Sequence, residues 1–445
     1  MPFRTITKDN LGLQYALISF DQDGIERTDD PAGGTMSTLL VQKAAAEKPT
    51  NIFLFSHGWK GDFDAAVDQY DRWIGAMWKM EKDRNAMGSD FRPMFIGLHW
   101  PSLPWGNENL PNAASFAEAV LSPDYEALYE KTVQHFGDKP GVREALRTIF
   151  TAQKEDPGAR SLPDEVVDAY KQLGDAIGFS AGGGPGAAPD AEGEPLDPEE
   201  AVRATRVASA ATSFGVGGGF FSGLLGGLGQ LSFWQMKKRA RTVGEGGMHA
   251  FVAQLQKTCD ARVHLMGHSF GCAVMSSVVG GPGGNTKLPR AIDSLALVQG
   301  AISLWSYGDS VFGSSTPGYF NNILRNACVS GPIVTTQSRF DTAVGTFYPA
   351  AVGLVGEAAF GNELPKYGGF GAFGIQGTKT AAQAISMLPH DGAYGFKPGL
   401  VYNIESSEFI KKMDGASGAH SDIDGPEVAH ALWQAALAGV KGKGA

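Results

Sequence analysis

Cysteine is scarce in this chain of 445 residues. The number and spacing of the cysteines argue against a fold held by disulfides and against a zinc site. The chain has three cysteines, Cys259, Cys272 and Cys328. This odd number, without C-x-x-C spacing, predicts neither a disulfide framework nor a zinc site. Three of the histidines, His99, His135 and His249, likewise lack the i, i+4 or acid-paired spacing of metal ligands. We therefore predict no metal and no other cofactor.

The chain also lacks long basic runs and an apolar N-terminal segment. Its net charge is −10, which is modest for this length and makes nucleic acid an unsuitable partner. The N-terminal sequence MPFRTITKDN has no hydrophobic core of the kind that secretory signals carry. Together with the few cysteines, this predicts a protein of the reducing cytoplasm.

What the chain does contain is an alternation of short apolar runs with helical patterns. The runs are continuous rather than alternating, as expected for parallel strands buried on both faces. They are Asn51–Ser56, Met94–Trp100, Val263–Met266, Leu295–Val298, Ile333–Thr336 and Leu400–Ile404, with Leu13–Phe20 as a candidate before them. Phe63, Val67, Tyr70, Ile74 and Met77 then recur on one face of a predicted helix. The pattern predicts an α/β fold.

Residues 105–245 interrupt this alternation and are predicted to form a mainly helical cap between core halves 1–104 and 246–445. Gly141–Gln153 and Pro163–Ala176 are typical of amphipathic helices. Residues 182–200 are rich in Gly, Pro, Ala and acidic residues, which predicts a disordered linker.

The segment Val207–Met236 within this insertion contains no charged residue. Its glycines at 215, 219, 223 and 227 repeat at every fourth position, along one face of a helix. Such spacing allows close helix approach, either in a lid or buried helix over an active site or in contact with a membrane surface. We favour the lid or buried helix, with a transmembrane span as the last alternative.

The stretch VHLMGHSFGCAVM, Val263–Met275, carries the strongest catalytic pattern. Four mostly apolar residues lead into Gly-His-Ser-Phe-Gly and then directly into a helical sequence. The G-x-S-x-G pattern is typical of a nucleophile elbow, a sharp strand-to-helix turn that presents a serine above a sheet. Ser269 is therefore the predicted nucleophile. Cys272, just after it, is expected to be a small core residue.

A serine nucleophile needs a histidine base and an acid, which in elbow enzymes follow the serine in the order acid, then histidine. Asp341 follows the strand at Ile333–Thr336, and His420 lies in a glycine-rich loop after the next strand. Asp309 is the alternative acid and His390 the alternative base. Two further acids are expected to be loop or helix-capping residues, namely Asp422 and Asp424.

The loop after Asn51–Ser56 is a candidate for the oxyanion hole. It reads His57-Gly58-Trp59, and a glycine there lets the backbone approach the substrate. Backbone N–H groups of Trp59 and of Phe270, the residue after the serine, are the predicted oxyanion donors. His57, Gly58 and His268 are candidates for the substrate pocket, with His57 expected to orient its loop and His268 to pack against the cap.

On HGW at 57–59, GHSFG at 267–271, Asp341 and His420, the chain resembles the α/β-hydrolase-fold serine hydrolases of the lipase and esterase type. The resemblance covers about residues 10–104 and 246–440. It implies a mostly parallel eight-stranded sheet, an acyl-enzyme on Ser269 and no metal. We expect hydrolysis of small-molecule or lipid-like carboxylic esters with an apolar acyl group. The alternatives are an amidase, peptidase or thioesterase with the same triad, or a membrane-associated binding protein with a vestigial site.

Overall fold

The structure of the protein is a computed structural model. It describes residues 3–28, 34–58, 63–102, 125–156, 161–178, 198–199, 226–311, 315–347, 364, 368–380 and 382–441. Trp59, nearly all of the predicted linker 182–200 and residues 207–225 of the uncharged segment lie outside these ranges. The predictions made for them stay predictions.

The centre of the fold is a nine-stranded sheet with the order β1-β2-β4-β3-β5-β6-β7-β9-β8. Only the β1–β2 pair is antiparallel; the other neighbours are parallel. The strands are β1 Phe3–Ile6, β2 Leu13–Ser19, β3 Asn51–Ser56, β4 Pro93–His99, β5 Arg262–His268, β6 Ser294–Val298, β7 Ile333–Gln337, β8 Gln383–Ser386 and β9 Val401–Glu405. This confirms the predicted α/β class.

The strand number of eight that the resemblance implies is wrong, since the sheet has nine strands. The apolar runs locate seven of them and miss two short edge strands. Strand β1 reads FRTI and strand β8 reads QAIS, each of four residues. Only Ile6 is buried in the first, and none is buried in the second. An edge strand faces solvent, so its sequence needs little hydrophobicity, and the continuous-run criterion does not detect it. The candidate strand at Leu13–Phe20 is confirmed as β2.

Helices cover both faces of the sheet. The described helices are α1 Met36–Glu47, α2 Phe63–Lys79, α3 Glu81–Ala86, α4 Tyr125–Phe136, α5 Pro140–Glu155, α6 Asp164–Ala176, α7 Gly226–Val243, α8 His249–Thr258, α9 Gly271–Gly280, α10 Asn321–Arg325, α11 Phe370–Phe373 and α12 Pro426–Lys441. Helices α1, α8 and α9 share one hydrophobic cluster with the sheet, and α2 and α12 share the cluster on the opposite face.

The hydrophobic cluster that α2 shares with α12 follows from the spacing of the apolar residues in α2. Tyr70, Ile74 and Met77 are fully buried at helical spacing, as predicted. Helix α12 packs beside α2, and the indole Nε1 of Trp433 donates to the carbonyl of Met77 at 2.7 Å. These contacts fix α2 over strands β3 and β4.

Helices α4, α5 and α6 build a third hydrophobic cluster within the predicted insertion. The two amphipathic helices predicted there are observed as α5 and α6. Helix α7 connects the clusters: Leu228 and Leu231 belong to the third one, whereas Ala240 and Val243 belong to the core of the sheet. The described end of the uncharged segment, residues 226–236, is therefore part of a packed helix. A β-carbon at Gly227 would lie 2.8 Å from the ring of Tyr170, so this glycine permits close packing.

Candidate active site

The candidate site lies where the order of the strands reverses. The chain passes from β3 outward to β4 and returns to β5 on the other side of β3. At such a switch point the loops after neighbouring parallel strands separate and leave a crevice at the carboxyl ends. His57 and Gly58 follow β3, and Ser269 follows β5, so these residues meet at that point.

Ser269 occupies a strained turn between β5 and α9. Its φ is +57°, an uncommon left-handed conformation for a residue with a side chain. The turn requires glycine on both sides: a β-carbon at Gly267 would lie 2.4 Å from the carbonyl oxygen of Gly271, and one at Gly271 would lie 2.2 Å from that of Ser56. This is the geometry that the G-x-S-x-G pattern predicts. Cys272 is fully buried in the core, as expected.

Neighbouring backbone fixes the Ser269 turn to strand β6. The amide of Ser269 donates to the carbonyl of Val298 at 3.1 Å, and the amide of Ala301 donates to the carbonyl of Ser269 at 3.2 Å. Phe270 is buried and precedes the first residue of α9. The predicted oxyanion donor at Phe270 therefore belongs to a rigid turn.

Asp341 and His420 are brought together by the structure. The Nδ1–H of His420 donates to Oδ2 of Asp341 at 2.8 Å. The carboxyl side chain is fully buried, and the imidazole is 12% exposed. Bonding at Nδ1 fixes the ring orientation and leaves Nε2 for a second partner, which is the arrangement of a triad base with its orienting acid.

The Asp341 carboxylate accepts two further hydrogen bonds. Gln299 Nε2 donates to Oδ2 at 2.8 Å, and the backbone amide of Val344 donates to Oδ1 at 2.9 Å. Three donors compensate the loss of water around a buried carboxylate. Sequence reasoning missed Gln299; its one sequence signal is its position directly after a predicted strand.

The loop that carries His420 is tied to both the acid and the elbow. The amide of Ala419 donates to the carbonyl of Phe340 at 2.8 Å, next to Asp341. The Nε2–H of His268 donates to the carbonyl oxygen of His420 at 2.9 Å. Because His268 directly precedes Ser269, this bond connects the loop of His420 to the strand that leads into Ser269. Between described residues, the structure gives the Ser269 hydroxyl no hydrogen bond to His420.

His268 acts in this bond as a neutral ring. Burial is the main cause that holds the pKa of His268 well below its usual value, and the neighbouring His420 lowers it further. The second nitrogen, Nδ1, accepts from Nε2 of Gln69 at 3.4 Å. The prediction that His268 lines the pocket and packs against the cap stays a prediction; the hydrogen bonds of this ring are with Gln69 and the loop of His420. Gln69, on helix α2, carries no sequence signal that would have found it.

Gly58 lies beside Ser269, and the His57 side chain holds the backbone of Gly58 through a hydrogen bond. Gly58 lies against the Ser269 side chain. His57 is fully buried, and its Nδ1–H donates to the carbonyl of Gly58 at 2.9 Å, while Nε2 accepts from the Trp100 amide at 3.3 Å. The expected orienting role of His57 agrees with these bonds. Trp59, the predicted second oxyanion donor, lies outside the described residues.

The alternative residues lie elsewhere. Asp309 is exposed and accepts from the backbone amide of Lys379. His390 is 60% exposed and lies 3.6 Å from Glu427. The two later acids have structural partners: Asp422 accepts from the amides of Lys411 and Lys412, and Asp424 pairs with Arg72 at 2.8 Å.

Comparisons with known proteins return no counterpart. No protein-family model matches the chain, no curated protein matches it, and no solved structure matches it. Within the described residues, no three His, Cys, Asp or Glu side chains are grouped as a metal site requires. None of the helices in the described part of the chain is long and apolar enough to cross a membrane.

Proposed function

We propose that the protein is a serine hydrolase that cleaves carboxylic esters. The observation that carries the proposal is the 2.8 Å hydrogen bond from His420 Nδ1 to the buried Asp341, at the end of the sheet where Ser269 occupies its strained turn. A buried carboxylate bonded to Nδ1 of a histidine is the pair that activates a serine hydroxyl for attack on an acyl carbon.

The reaction follows from these positions. Ser269 Oγ attacks the ester carbonyl carbon while Nε2 of His420 takes the hydroxyl proton. The developing oxyanion accepts hydrogen bonds from the Trp59 and Phe270 amides. Collapse of the tetrahedral intermediate breaks the ester C–O bond, and His420 returns the proton to the leaving alcohol. A water molecule, deprotonated by His420, then attacks the acyl carbon, and the bond between this carbon and Ser269 Oγ breaks. His420 returns the proton to Oγ, and the carboxylic acid is released.

The buried negative charge of Asp341 has a specific part in this cycle. When His420 becomes an imidazolium, its new charge lies beside a carboxylate that is removed from water, and the attraction is stronger than it would be at a surface. The same contact holds the imidazole in the tautomer with Nε2 free to accept the serine proton.

An apolar acyl group is the substrate class that we favour. The segment Val207–Met236 has no charge, and its described end belongs to helix α7, which joins the insertion helices to the core of the sheet. A cap of this composition would cover the acyl chain with apolar surface, since burial of each CH₂ group contributes about 0.8 kcal/mol.

Hydrolysis of p-nitrophenyl esters of increasing acyl length tests the proposal. The wild type should turn them over with an optimum at medium or long chains, and Ser269→Ala should lose activity by about 10³-fold or more. A fluorophosphonate should add one label per chain on Ser269. As a matched control, Ser276→Ala removes a different buried serine of α9, bonded to Tyr307 at 2.6 Å, and should keep the label.

The other outcomes select the alternatives. Turnover of amides or thioesters without ester turnover would replace the esterase by an amidase, peptidase or thioesterase with the same residues. Neither turnover nor labelling would contradict catalysis altogether and favour a binding protein.

A further inference from the structure

Gln299 is held against the acid of the proposed triad in a strained conformation. It is fully buried and directly follows strand β6. Its φ is +47°, which is unfavourable for a residue with a side chain. The surrounding contacts must offset this cost, and they point the amide at the Asp341 carboxylate, where Nε2 donates to Oδ2 at 2.8 Å.

Thr336 fixes which end of the amide faces the acid. Its Oγ1 accepts the backbone N–H of Gln299 at 3.0 Å. The hydroxyl proton is then available to donate to Oε1 of Gln299 at 2.9 Å. The carbonyl end of the side chain is thereby occupied, and only the NH₂ end can face Asp341.

Two donors converge on one carboxylate oxygen. Oδ2 of Asp341 accepts from His420 Nδ1 and from Gln299 Nε2, both at 2.8 Å. Each donor stabilises the negative charge, so the charge available to a protonated His420 is reduced by the presence of the amide. The carboxylate is also prevented from rotating, because Val344 holds its other oxygen.

We infer that Gln299, oriented by Thr336, is a positioning residue that sets how strongly Asp341 retains the proton on His420. The inference rests on the proposed function, since it assigns His420 as the base. It also makes the contribution of Gln299 distinguishable from simple packing: loss of the amide should change the protonation of His420 and not only the stability of the fold.

The direction of the effect follows from the shared oxygen. Without the amide, the charge of Asp341 acts on His420 alone, and the imidazolium persists to higher pH. A base that is protonated cannot accept the serine proton, so the acid limb of kcat/KM should move to higher pH. One of the three donors is lost, and we expect a shift of about half a pH unit to one unit.

Substitution of Gln299 leaves the other charged groups around His420 unchanged. The rings of His268 and His420 lie 4.8 Å apart between centroids, and His268 faces His420 from the end of β5. Two further groups act on His268, namely His57, which follows β3, and Arg72 on α2. The loop after β7 carries Arg339, and the His420 loop carries the charged residues Glu408, Lys411, Lys412, Asp414, Asp422 and Asp424.

The test compares Gln299→Leu and Thr336→Val with a matched control. Gln299→Leu removes both ends of the amide at similar volume, whereas Thr336→Val leaves the amide and removes what orients it. Gln256→Leu is the control, because Gln256 is equally a buried glutamine, bonded through both amide atoms to the backbone of Arg290 far from the site.

Two readouts are measured: the pH profile of p-nitrophenyl ester hydrolysis and the pH midpoint of the His420 ring signal by NMR of histidine-labelled protein. Both midpoints should rise in Gln299→Leu, rise less in Thr336→Val and stay unchanged in Gln256→Leu. If Gln299→Leu does not fold, Thr336→Val decides alone. Unchanged midpoints in a folded variant would overturn the inference. The NMR midpoint needs no turnover, so it decides the role of Gln299 even if the wild type hydrolyses no ester.

Discussion

Gly58 lies directly against the side chain of Ser269. A β-carbon added to Gly58 would lie 2.5 Å from Cβ of Ser269 and 3.0 Å from its Oγ. The backbone at Gly58 thus approaches the Ser269 side chain closely, and the approach depends on the absence of a side chain at position 58.

Gly58→Ala should therefore impair catalysis more than folding. The new methyl group must displace either the Ser269 hydroxyl or the loop that carries the proposed oxyanion donor, and a misplacement of about 1 Å costs about 100-fold in rate. We expect kcat of ester hydrolysis to fall by about this factor. Gly395→Ala is a control for glycine loss, because a β-carbon there meets nothing within 4 Å, although its φ of +58° adds backbone strain. Full activity of Gly58→Ala would contradict this prediction and show that the backbone at position 58 can move away from Ser269 without loss of catalysis.

The identity of the acid gives a second prediction. Asp341→Asn keeps the shape but removes the charge beside His420, and loss of a triad carboxylate lowers kcat by about 10⁴-fold in serine proteases. Asp309→Asn, at the exposed alternative, should change kcat less than about twofold because exposed polar substitutions rarely perturb a distant site. Steady-state hydrolysis of one ester by both variants is the measurement. A larger decrease in kcat for Asp309→Asn than for Asp341→Asn would indicate that Asp309, and not Asp341, is the acid.

His268 should act through the position of His420. His268→Phe keeps an aromatic ring but removes the donor to the His420 carbonyl, and a neutral hydrogen bond contributes about 1 kcal/mol. If that free energy is lost in placing the base, kcat should fall about fivefold. His268→Gln can place an amide N–H where Nε2 was and should recover part of the rate. Equal rates in the two variants would indicate that ring packing, and not the hydrogen bond, is what the site needs.

The elements that the sequence predicts well are those whose pattern has a single physical cause. The buried strands β3 to β7 and the elbow at Ser269 are examples, because continuous apolar runs and paired glycines permit few other structures. The order of strands makes Asp341 and His420 candidates for the acid and the base, with Asp309 and His390 as alternatives. The pairing of Asp341 with His420 depends on where the strand ends lie in space, which the topology supplies.

The residues that sequence reasoning missed are those whose role arises only in three dimensions. Gln299 and Gln69 reach the site from β6 and α2, and glutamine at either position is also compatible with an ordinary surface turn or helix. The edge strand β8 was missed for another reason, since its four residues are stabilised by pairing with β9 and not by their own burial. The roles of these residues and the pairing of β8 are therefore determined by contacts between segments distant in the sequence, which local sequence patterns do not reveal.

The stability of the fold should decrease as the pH falls below about 6.5, the ordinary value for histidine. His135 is buried between α4 and α7, where its Nε2 contacts the Ser232 hydroxyl at 3.0 Å. Burial, and then the charge of Arg239, hold the pKa of His135 well below this ordinary value. Below pH 6.5 the unfolded chain takes up a proton at this position and the folded chain does not. Protonation therefore favours unfolding, and the stability present above pH 6.5 is lost as the pH drops.

His135→Phe removes this proton uptake. The free energy of unfolding of the wild type should fall more steeply between about pH 6.5 and pH 5 than that of the variant, by up to about 1.4 kcal/mol per pH unit. Urea unfolding followed by tryptophan fluorescence measures both slopes. His390→Phe is the control, because His390 is 60% exposed and its removal should leave the slope as in the wild type. Parallel slopes for wild type and His135→Phe would mean that His135 takes up a proton without unfolding, and that α4 and α7 open locally to admit water.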